Sequence, residues 1–401
     1  MIKTAVKTTS LLCVGNQWFP TAPGGAERYM YELIHSLAAK GDRVELCATD
    51  LPSADSLSSH TCSSDSQTSL FLTNLAAGSQ SLPQRLRACR SRFQQRHLLT
   101  PDAINLQFAL YSYPLLQHLP ANIPVTFTFH GPWALESQQE GESRLAVKMK
   151  YWLEQQVFRR CDRFIVLSKA FGLILHERYR VPWNKIHIIP GGVDIERFQA
   201  NLTRQQAREQ LGFPIDRPIL FTPRRLVQRM GIDKLLQALA EVKNYVPDVW
   251  LAIAGKGVLR KALEQQANAL GLQDHVRFLG YVPDEQLPIA YQAADLTVVP
   301  SQYLEGFGLI LLESLACGTP VMSTPVGGMP EVLAPLQPTL VTETPEAIAI
   351  AARLVAFLTG ELSLPERQQC REYAVQNYDW QLLAPKIRDV LLMPLSPSIA
   401  V

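Results

Sequence analysis

The sequence lacks any long apolar run. No segment approaches the roughly 20 continuous apolar residues that a membrane-spanning helix needs. The first apolar run, Leu11 to Gly15, covers five residues before Asn16 and Gln17 interrupt it, which is typical of a strand and too short for a signal peptide. We therefore expect a cytoplasmic protein.

Cysteine is sparse and charge is balanced. The seven cysteines are scattered, odd in number and outside any CxxC or Cys/His cluster with zinc-like spacing, so we expect reduced core thiols and no metal site. The formal net charge of +2 gives no overall attraction for nucleic acid, and we expect no nucleic-acid partner. With 47% hydrophobic and 18% charged residues, the composition excludes collagen-like, disordered and disulfide-scaffold proteins.

The length predicts two domains. At 401 residues the chain exceeds the roughly 250 to 300 at which one core stops growing. Short apolar runs alternate with longer amphipathic stretches, which indicates βαβ units around a parallel sheet. The pattern restarts after the turn at Pro190 to Asp194. The sequence thus predicts an α/β protein with two doubly wound sheets, whose runs are Leu11–Val14, Val44–Ala48, Ile104–Leu106, Val125–Phe129, Phe164–Leu167, Ile186–Ile189, Ile219–Thr222, Trp250–Ala254, Val276–Leu279, Leu296–Val299 and Pro320–Ser323.

Two features of the first half can bind a ligand. Gly24 and Gly25 open a helix after the first strand, where exposed amides and the helix dipole favour an anion such as a diphosphate. His130 follows the strand Val125 to Phe129, and a neutral imidazole there can orient a sugar hydroxyl. The alternatives are a plain strand-to-helix turn and a structural histidine.

An arginine-rich segment follows the first strand of the second half. Arg224, Arg225 and Arg229 lie where this strand gives way to a helix, and guanidinium groups there can bind phosphate oxygens in bidentate fashion. A departing nucleoside diphosphate needs such partners because its negative charge grows as the glycosidic bond breaks. The alternative is a solvated basic loop.

The segment from Glu305 to Glu313 is the most specific motif. Gly306 and Gly308 expose amides at a helix start, and Leu309 is expected to face the core. The two carboxylates are eight positions apart, about two helical turns, so we expect both to belong to one helix and to serve one face of the cleft. Glu305 can bind sugar hydroxyls and Glu313 both hydroxyls of a ribose. The alternative is an N-terminal helix charge and a surface residue.

A set of motifs in the chain resembles the family 4 glycosyltransferases of the GT-B fold. In order along nearly the whole chain these are PGGAER, HGP, IPGGVD, RRLVQRMGIDKLLQAL, IAGKG, VRFLGYVPDEQL, EGFGLILLESLACGTPV and TPVGGMPEV, and EGFGLILLE matches the E-x7-E motif of that family. The resemblance implies two Rossmann-like domains facing across a cleft, with a C-terminal helix returning to the first domain. An acceptor-binding domain then covers residues 1–190, completed by about 379–401, and a nucleotide-sugar-binding domain covers residues 191–378.

The resemblance also implies the chemistry. A glycosyl group moves with retention from a UDP-, GDP- or ADP-linked sugar to a hydroxyl of a glycan, a lipid-linked acceptor or a small molecule, without a cofactor or an essential metal. His130, Arg225 and Glu305 are the implied catalytic residues. The implied donor-binding residues are Gly24, Gly25, Tyr281, Val282, Phe307, Gly308, Leu309 and Glu313.

One position departs from the family pattern. The family pairs the arginine matching Arg225 with a lysine five residues later, and that position here is Met230. Arg229 and Lys234 are the nearby cations that could take over the charge.

Two stretches of the first half are basic. Gln84 to Leu99 has five arginines and no acid, and Arg144 to Arg163 combines Lys and Arg with apolar residues. Basic amphipathic helices bind anionic membranes, which suits a lipid-linked acceptor and a peripheral position at the inner membrane face. The alternative is a solvated helix face.

Two other functional classes fit the two-domain pattern. A nucleotide-sugar 2-epimerase shares the architecture, but we expect it to lack the EGFGLILLE arrangement. A non-catalytic protein that binds nucleotide sugars is the class that Met230 favours.

Overall fold

The computed structural model describes residues 8–19, 21–22, 24–51, 69–199 and 202–395. The chain forms two compact units. Unit 1 comprises Met1–Leu167, Phe171–Pro190 and Trp380–Val401, and unit 2 comprises Ser168–Ala170 and Gly191–Asp379. Each unit is built on its own parallel sheet.

The sheet of unit 1 has seven strands in the order β3-β2-β1-β4-β5-β6-β7, and all neighbouring strands run parallel. Its central strands are continuous apolar runs because helices cover both faces of such a sheet. The strands are β1 Ser10–Gln17, β2 Arg43–Thr49, β3 Leu70–Asn74, β4 Ala103–Leu106, β5 Val125–Phe129, β6 Arg163–Val166 and β7 Ile186–Ile188. The sequence interpretation missed β3, an edge strand whose residues are all only half-buried.

The helices of the first half alternate with these strands. They are α1 Gly25–Ala39, α2 Leu82–Gln94, α3 Ala109–Ser112, α4 Trp133–Gln139, α5 Arg144–Arg160 and α6 Lys169–Tyr179, with 3-10 turns at Tyr113–His118 and Trp183–Lys185. Helix α1 buries Tyr29, Leu33, Ile34 and Leu37, as its helical spacing predicts.

Unit 2 repeats the pattern around five parallel strands in the order β10-β9-β8-β11-β12. The strands are β8 Ile219–Pro223, β9 Trp250–Ala254, β10 Val276–Gly280, β11 Leu296–Val299 and β12 Val321–Ser323. The helices are α7 Arg204–Leu211, α8 Ile232–Val242, α9 Arg260–Ala269, α10 Leu287–Ala293, α11 Leu309–Ala316, α12 Met329–Leu333, α13 Ala347–Leu358 and α14 Arg367–Tyr378, with 3-10 turns at Gln228–Met230 and Pro338–Leu340. The predicted pair of doubly wound sheets is confirmed.

The last helix, α15 Trp380–Leu392, packs against α1 in unit 1. The Trp380 indole N–H donates to the Glu32 carboxylate, and its ring centroid lies 5.1 Å from that of Tyr29. Arg388 Nε donates to Asp42 Oδ2 at 2.7 Å. The return of the C-terminal helix to the first unit is therefore confirmed.

Each sheet reverses its winding direction beside its first strand. This reversal falls between β1 and β4 in unit 1 and between β8 and β11 in unit 2. Ligands of open α/β sheets bind beyond the carboxyl ends of the strands at such points. The loops that follow these strands therefore carry the candidate site residues.

Candidate active site

Arg224 and Glu305 form an ion pair at the switch point of unit 2. Arg224 follows β8, and Glu305 lies in the loop that follows β11. The Arg224 guanidinium donates to Glu305 Oε2 and to the hydroxyl of Ser301, and the Ser301 hydroxyl also lies 3.3 Å from Glu305 Oε2. The side chains of Arg224 and Glu305 are only 7% and 14% exposed. The centre of this site is thus a largely desolvated carboxylate.

The protonation state of Glu305 follows from its neighbours. Burial alone would raise the pKa of the Glu305 carboxyl, but the charge and hydrogen bond of Arg224, the charge of Arg229 and the Ser301 hydroxyl together lower it below its ordinary value. Glu305 is therefore an anion, an acceptor-only group for sugar hydroxyls.

The two motif glutamates do not share a helix, so that prediction is wrong. Helix α11 begins at Leu309, after Gly308 in the left-handed conformation at φ 81°, and Glu305 lies in the preceding loop. Glu313 lies inside α11, where it is buried and accepts from the Tyr291 hydroxyl at 2.8 Å. Leu309 is half-buried, and Leu311 faces the core in its place.

The loop of Glu305 is held against two consecutive glycines. A Cβ at Gly327, whose φ is +59°, would lie 1.7 Å from the Glu305 carbonyl oxygen. The amide of Gly328 donates to that same oxygen at 3.1 Å, and a Cβ at Gly328 would lie 2.4 Å from the Gly306 carbonyl oxygen. Only glycine allows such close backbone contact, so the TPVGGMPEV segment fixes the position of Glu305.

Glycines also fix the arginine segment. A Cβ at Gly255 would lie 2.0 Å from the Arg224 carbonyl oxygen, and one at Gly231 would lie 1.9 Å from that of Pro300. The IAGKG loop after β9 and the loop after β11 therefore pack directly on the backbone that carries Arg224.

Arg224 contacts Glu305 and was not selected as catalytic from the sequence. Arg225, which was selected, is exposed. Arg229 is buried, and its guanidinium donates to the Leu304 carbonyl oxygen at 3.1 Å. The Met230 thioether is 5% exposed. The Glu305 loop thus receives positive charge from Arg224 and Arg229. Position 230, where the family has a lysine, contributes a neutral thioether.

Lys234 has a different partner. Its ammonium group pairs with the exposed carboxylate of Glu346 at 2.7 Å, on the side of α8 where α13 begins. An exposed pair of this kind is weak, so the role of Lys234 as a phosphate ligand stays a prediction.

Tyr281 and Val282 follow the edge strand β10. The Tyr281 side chain is exposed, and the Lys256 ammonium group lies 5.2 Å from its ring centroid. Phe307, in the Glu305 loop, is buried with its ring 6.0 Å from that of Tyr378. Phe307 therefore anchors the chain immediately before the amides of Gly308 and Leu309.

In unit 1, His130 is held by a chain of amide side chains. His130 Nε2 lies 2.9 Å from Gln107 Oε1, and Gln107 Nε2 donates to Asn105 Oδ1 at 2.7 Å. Gln107 Oε1 can only accept, so His130 Nε2 carries the hydrogen and Nδ1 is the acceptor. Burial lowers the pKa of His130 to about 4, so the imidazole is neutral near pH 7.

Gly24 and Gly25 lie at the N-terminus of α1, as the sequence predicts. The Glu27 carboxylate accepts from Asn16 Nδ2 at 2.9 Å, and a Cβ at Gly24 would lie 2.2 Å from its other oxygen. The Glu27 carboxylate thus lies close to the N-terminus of α1, where a phosphate would meet its negative charge.

The described residues contain neither a cluster that could hold a metal ion nor a helix that could span a membrane. Within residues 8–395, apart from the gaps given above, no group of three or more His, Cys, Asp and Glu side chains is arranged to hold a metal ion. In the same ranges, no helix is long and apolar enough to cross a bilayer.

The family models match both halves of the chain. Glycosyl transferases group 1 matches residues 203–394, and Glycosyltransferase Family 4 matches residues 23–197. A D-inositol 3-phosphate glycosyltransferase of Corynebacterium urealyticum is 32% identical over 74% of this chain and 72% of its own, and that of Corynebacterium diphtheriae is 28% identical over 92% and 89%. A GDP-mannose-dependent phosphatidylinositol monomannoside mannosyltransferase of Mycolicibacterium smegmatis is 32% identical, with 51% of this chain matching 55% of that relative.

Solved structures share the fold. Sucrose-phosphate synthase from Thermosynechococcus elongatus superimposes with a TM-score of 0.78 at 24% identity, covering 95% of this chain and 98% of its own. HepE of Anabaena in complex with UDP-glucose gives 0.74 at 20%, covering 96% and 99%. The two Rossmann-like units and these relatives define a glycosyltransferase that uses a nucleotide-sugar donor. The chain belongs to the family 4 glycosyltransferases of the GT-B fold.

Proposed function

We propose that this enzyme transfers a glycosyl group from a nucleotide sugar to an acceptor hydroxyl with retention of anomeric configuration. The observation that carries the proposal is the desolvated Glu305 carboxylate, fixed by Arg224 at the switch point of unit 2 and close to the charge of Arg229. A carboxylate so placed binds sugar hydroxyls, and cations so placed stabilise a departing diphosphate.

In the proposed donor complex, unit 2 binds the nucleoside diphosphate. Arg225, exposed beside the buried pair, and Arg229 neutralise the phosphates, together with the amides of Gly308 and Leu309 at the start of α11. Glu313 holds the ribose, and the backbone at Tyr281 and Val282 meets the base. These cations supply the charge that the diphosphate needs, so we propose that no cofactor or essential metal takes part.

Retention is proposed to proceed by attack on the same face that the diphosphate leaves. The leaving phosphate accepts the proton of the acceptor hydroxyl as the new bond forms. Retaining glycosidases instead use two carboxyl groups about 5 to 5.5 Å apart, one of them a nucleophile. Here Glu305 is occupied by Arg224 and Ser301, and Glu313 is buried against Tyr291, which favours binding roles for both carboxylates.

In unit 1, His130 is proposed to orient a hydroxyl of the transferred sugar. Its Nδ1 is the acceptor, because Gln107 fixes the hydrogen on Nε2. Gly24 and Gly25 are proposed to lie near the donor phosphates once Glu27 has moved aside. Unit 1 is the proposed acceptor domain.

The acceptor is proposed to be a glycan or a lipid-linked hydroxyl compound. One relative is named for D-inositol 3-phosphate, a free compound, and another for a phosphatidylinositol monomannoside, a lipid. These names support both kinds of acceptor. We propose a cytoplasmic enzyme that works at the inner membrane face.

The test begins with donor choice. Melting curves are recorded with UDP-glucose, GDP-mannose and ADP-glucose and with the free diphosphates, because a ligand of the folded state raises the melting temperature. The responding donor is then offered to inositol phosphate and to lipid-linked acceptors, and the anomeric configuration of the product is read by NMR. An inverted product would overturn retention.

The role of Glu305 is tested with the same donor. Glu305→Ala should lower kcat about a hundredfold or more, as when one preorganised transition-state contact is lost. The matched control is Glu346→Ala, which removes an exposed carboxylate from the same unit. Equal rates for Glu305→Ala and the control would overturn the site assignment.

A further inference from the structure

Helix α5 carries a line of exposed apolar side chains. Leu145 is 79% exposed, Met149 54% and Trp152 46%. Their spacing of four and three residues places them on one side of the helix. The opposite side, with Leu153, Val157 and Phe158, is buried in the core of unit 1. Helix α5 is therefore apolar on both sides, and its outer apolar stripe faces water.

Cations flank the outer stripe. Lys148 and Arg159 are exposed and project within roughly 70° of the centre of the stripe, since each residue turns the helix by about 100°. The acid within α5 is Glu154, which is buried on the inner side. Two acids, Glu140 and Glu142, precede the helix. Glu142 forms a 2.6 Å ion pair with Lys150, and this pair does not lie on the stripe. The exposed side of α5 is thus apolar and cationic.

A second basic helix lies next to this face. Helices α2 and α5 both pack on the 3-10 turn Tyr113–His118. The Tyr113 ring lies 5.3 Å from that of Trp152, and Arg90 Nε of α2 donates to the Pro114 carbonyl oxygen at 3.2 Å. Helix α2 carries four arginines and no acid, and it extends the positive charge beyond the stripe.

We infer that the outer face of α5, formed by Leu145, Lys148, Met149, Trp152 and Arg159, docks on an anionic lipid bilayer. A helix that lies in the membrane interface inserts an apolar face among the acyl chains, while Lys and Arg beside it meet anionic headgroups. Tryptophan suits the boundary because its ring is apolar and its N–H is polar. The cationic flank selects an anionic surface.

This docking face is joined to the helix that follows His130. Helix α4 begins three residues after His130 and packs against α5. The Ala134 amide donates to Glu154 at 3.3 Å, and the Lys150 ammonium group lies 4.8 Å from the Trp133 ring centroid. These contacts lie on the inner side of α5 and the docking face lies on its outer side, so the same helix meets the bilayer and supports the chain that follows His130. That a lipid-linked acceptor arrives at this face rests on the proposed function.

The test is vesicle flotation of the full chain. Vesicles of phosphatidylcholine alone are compared with vesicles of equal parts phosphatidylcholine and phosphatidylglycerol at physiological salt. We expect the enzyme to float with the mixed vesicles and to stay below with phosphatidylcholine alone. Failure to float with the mixed vesicles would overturn the inference and would favour a protein partner as the occupant of the stripe.

Two variants separate the two contributions. Leu145→Ser/Met149→Ser/Trp152→Ser removes the apolar stripe, and Lys148→Gln/Arg159→Gln removes its cationic flank. Each should lower the bound fraction at least tenfold, whereas the control Tyr245→Ser/Ile348→Ser, which removes exposed apolar side chains from unit 2, should bind like the original chain. Stripe variants that float as well as the control would overturn the inference. Melting curves with and without the donor show that each variant is folded and keep this result separate from the proposed glycosyl transfer.

Discussion

Arg224 and Glu305 are 81 residues apart in sequence, and their side chains form a largely buried ion pair where β8 and β11 end. Removing one partner of such a pair leaves an uncompensated buried charge, which costs about 3–5 kcal/mol. Arg224→Met should therefore destabilise the protein by that amount, raise the pKa of Glu305 and weaken binding of the free nucleoside diphosphate. Urea unfolding and calorimetric titration measure the two effects.

The double variant Arg224→Met/Glu305→Gln is the matched control, because it removes both charges of this ion pair. It should be more stable than Arg224→Met alone. Together with the single variant Glu305→Gln it completes a cycle, and the coupling between the two side chains is the loss in the double variant minus the sum of the losses in the two single variants. Additive losses in this cycle would show that the pair contributes nothing to stability.

Gly327 is predicted to be essential for the position of Glu305. Gly327→Ala brings a Cβ to within 1.7 Å of the Glu305 carbonyl oxygen, so the loop must shift, whereas Gly212→Ala at nearly the same φ meets no atom within 4 Å. The Gly212 variant should lose only about 1–2 kcal/mol for a left-handed alanine. The Gly327 variant should lose more stability and most of its activity. Similar melting temperatures and rates for the two variants would contradict the packing argument.

The pH dependence of the rate should carry no contribution from His130 above about pH 5, because its pKa lies at about 4. Gln107→Glu places a carboxylate beside Nε2, which favours the imidazolium and raises the pKa of His130. Nδ1 then becomes a donor at low pH. We expect a new acidic limb in the kcat/KM profile of this variant. Gln107→Leu, which removes the acceptor without adding charge, should lower the rate without adding a limb.

Glu154 makes stability fall as pH rises. Burial raises the pKa of its carboxyl to about 7, against the donors Tyr179 and Ala134. Between pH 4.5, the ordinary pKa, and 7 the folded state holds a proton that the unfolded state releases, so the free energy of unfolding decreases with pH, by roughly 3 kcal/mol. Glu154→Gln keeps the shape without the titration. Its melting temperature should drop less between pH 5 and pH 8 than that of the original chain, and equal drops would refute the assignment.

Much of the fold could be predicted from apolar runs. Trp250–Ala254 and Val125–Phe129 are strands with the predicted bounds, because a strand covered on both faces is a continuous apolar segment. Leu70–Asn74 escaped prediction because an edge strand is half-buried and its pattern is weak. The predicted start of the helix that contains Glu313 was too early. The helix begins at Leu309, because Gly308 before it adopts the left-handed conformation.

The sequence was enough to predict which segments form the site, but not which side chains in them touch. The sequence indicated that the RRL segment and Glu305 belong to one site, but the ion pair of Arg224 with Glu305 depends on the direction in which the Arg224 guanidinium turns at the end of β8. Adjacent residues leave a strand end in different directions, and no local pattern records which one meets a partner 81 residues away. The close glycine contacts at Gly327 and Gly255 likewise exist only once the loops have met.

The position of α15 after the C-terminal end of unit 2 determines the order in which the two units can fold during synthesis. Unit 1 consists of the first part of the chain together with Trp380–Leu392, whereas unit 2 is almost continuous from Gly191 to Asp379. On the ribosome, Tyr29, Glu32 and Asp42 emerge early but receive Trp380 and Arg388 only after the whole of unit 2 has been synthesised. The usual order, in which the N-terminal domain is completed first, is thus reversed. A translation product that stops directly after Asp379 contains all the residues from Gly191 to Asp379, but its first unit lacks α15. The apolar side chains of α1 that α15 covers are then exposed to cellular quality control.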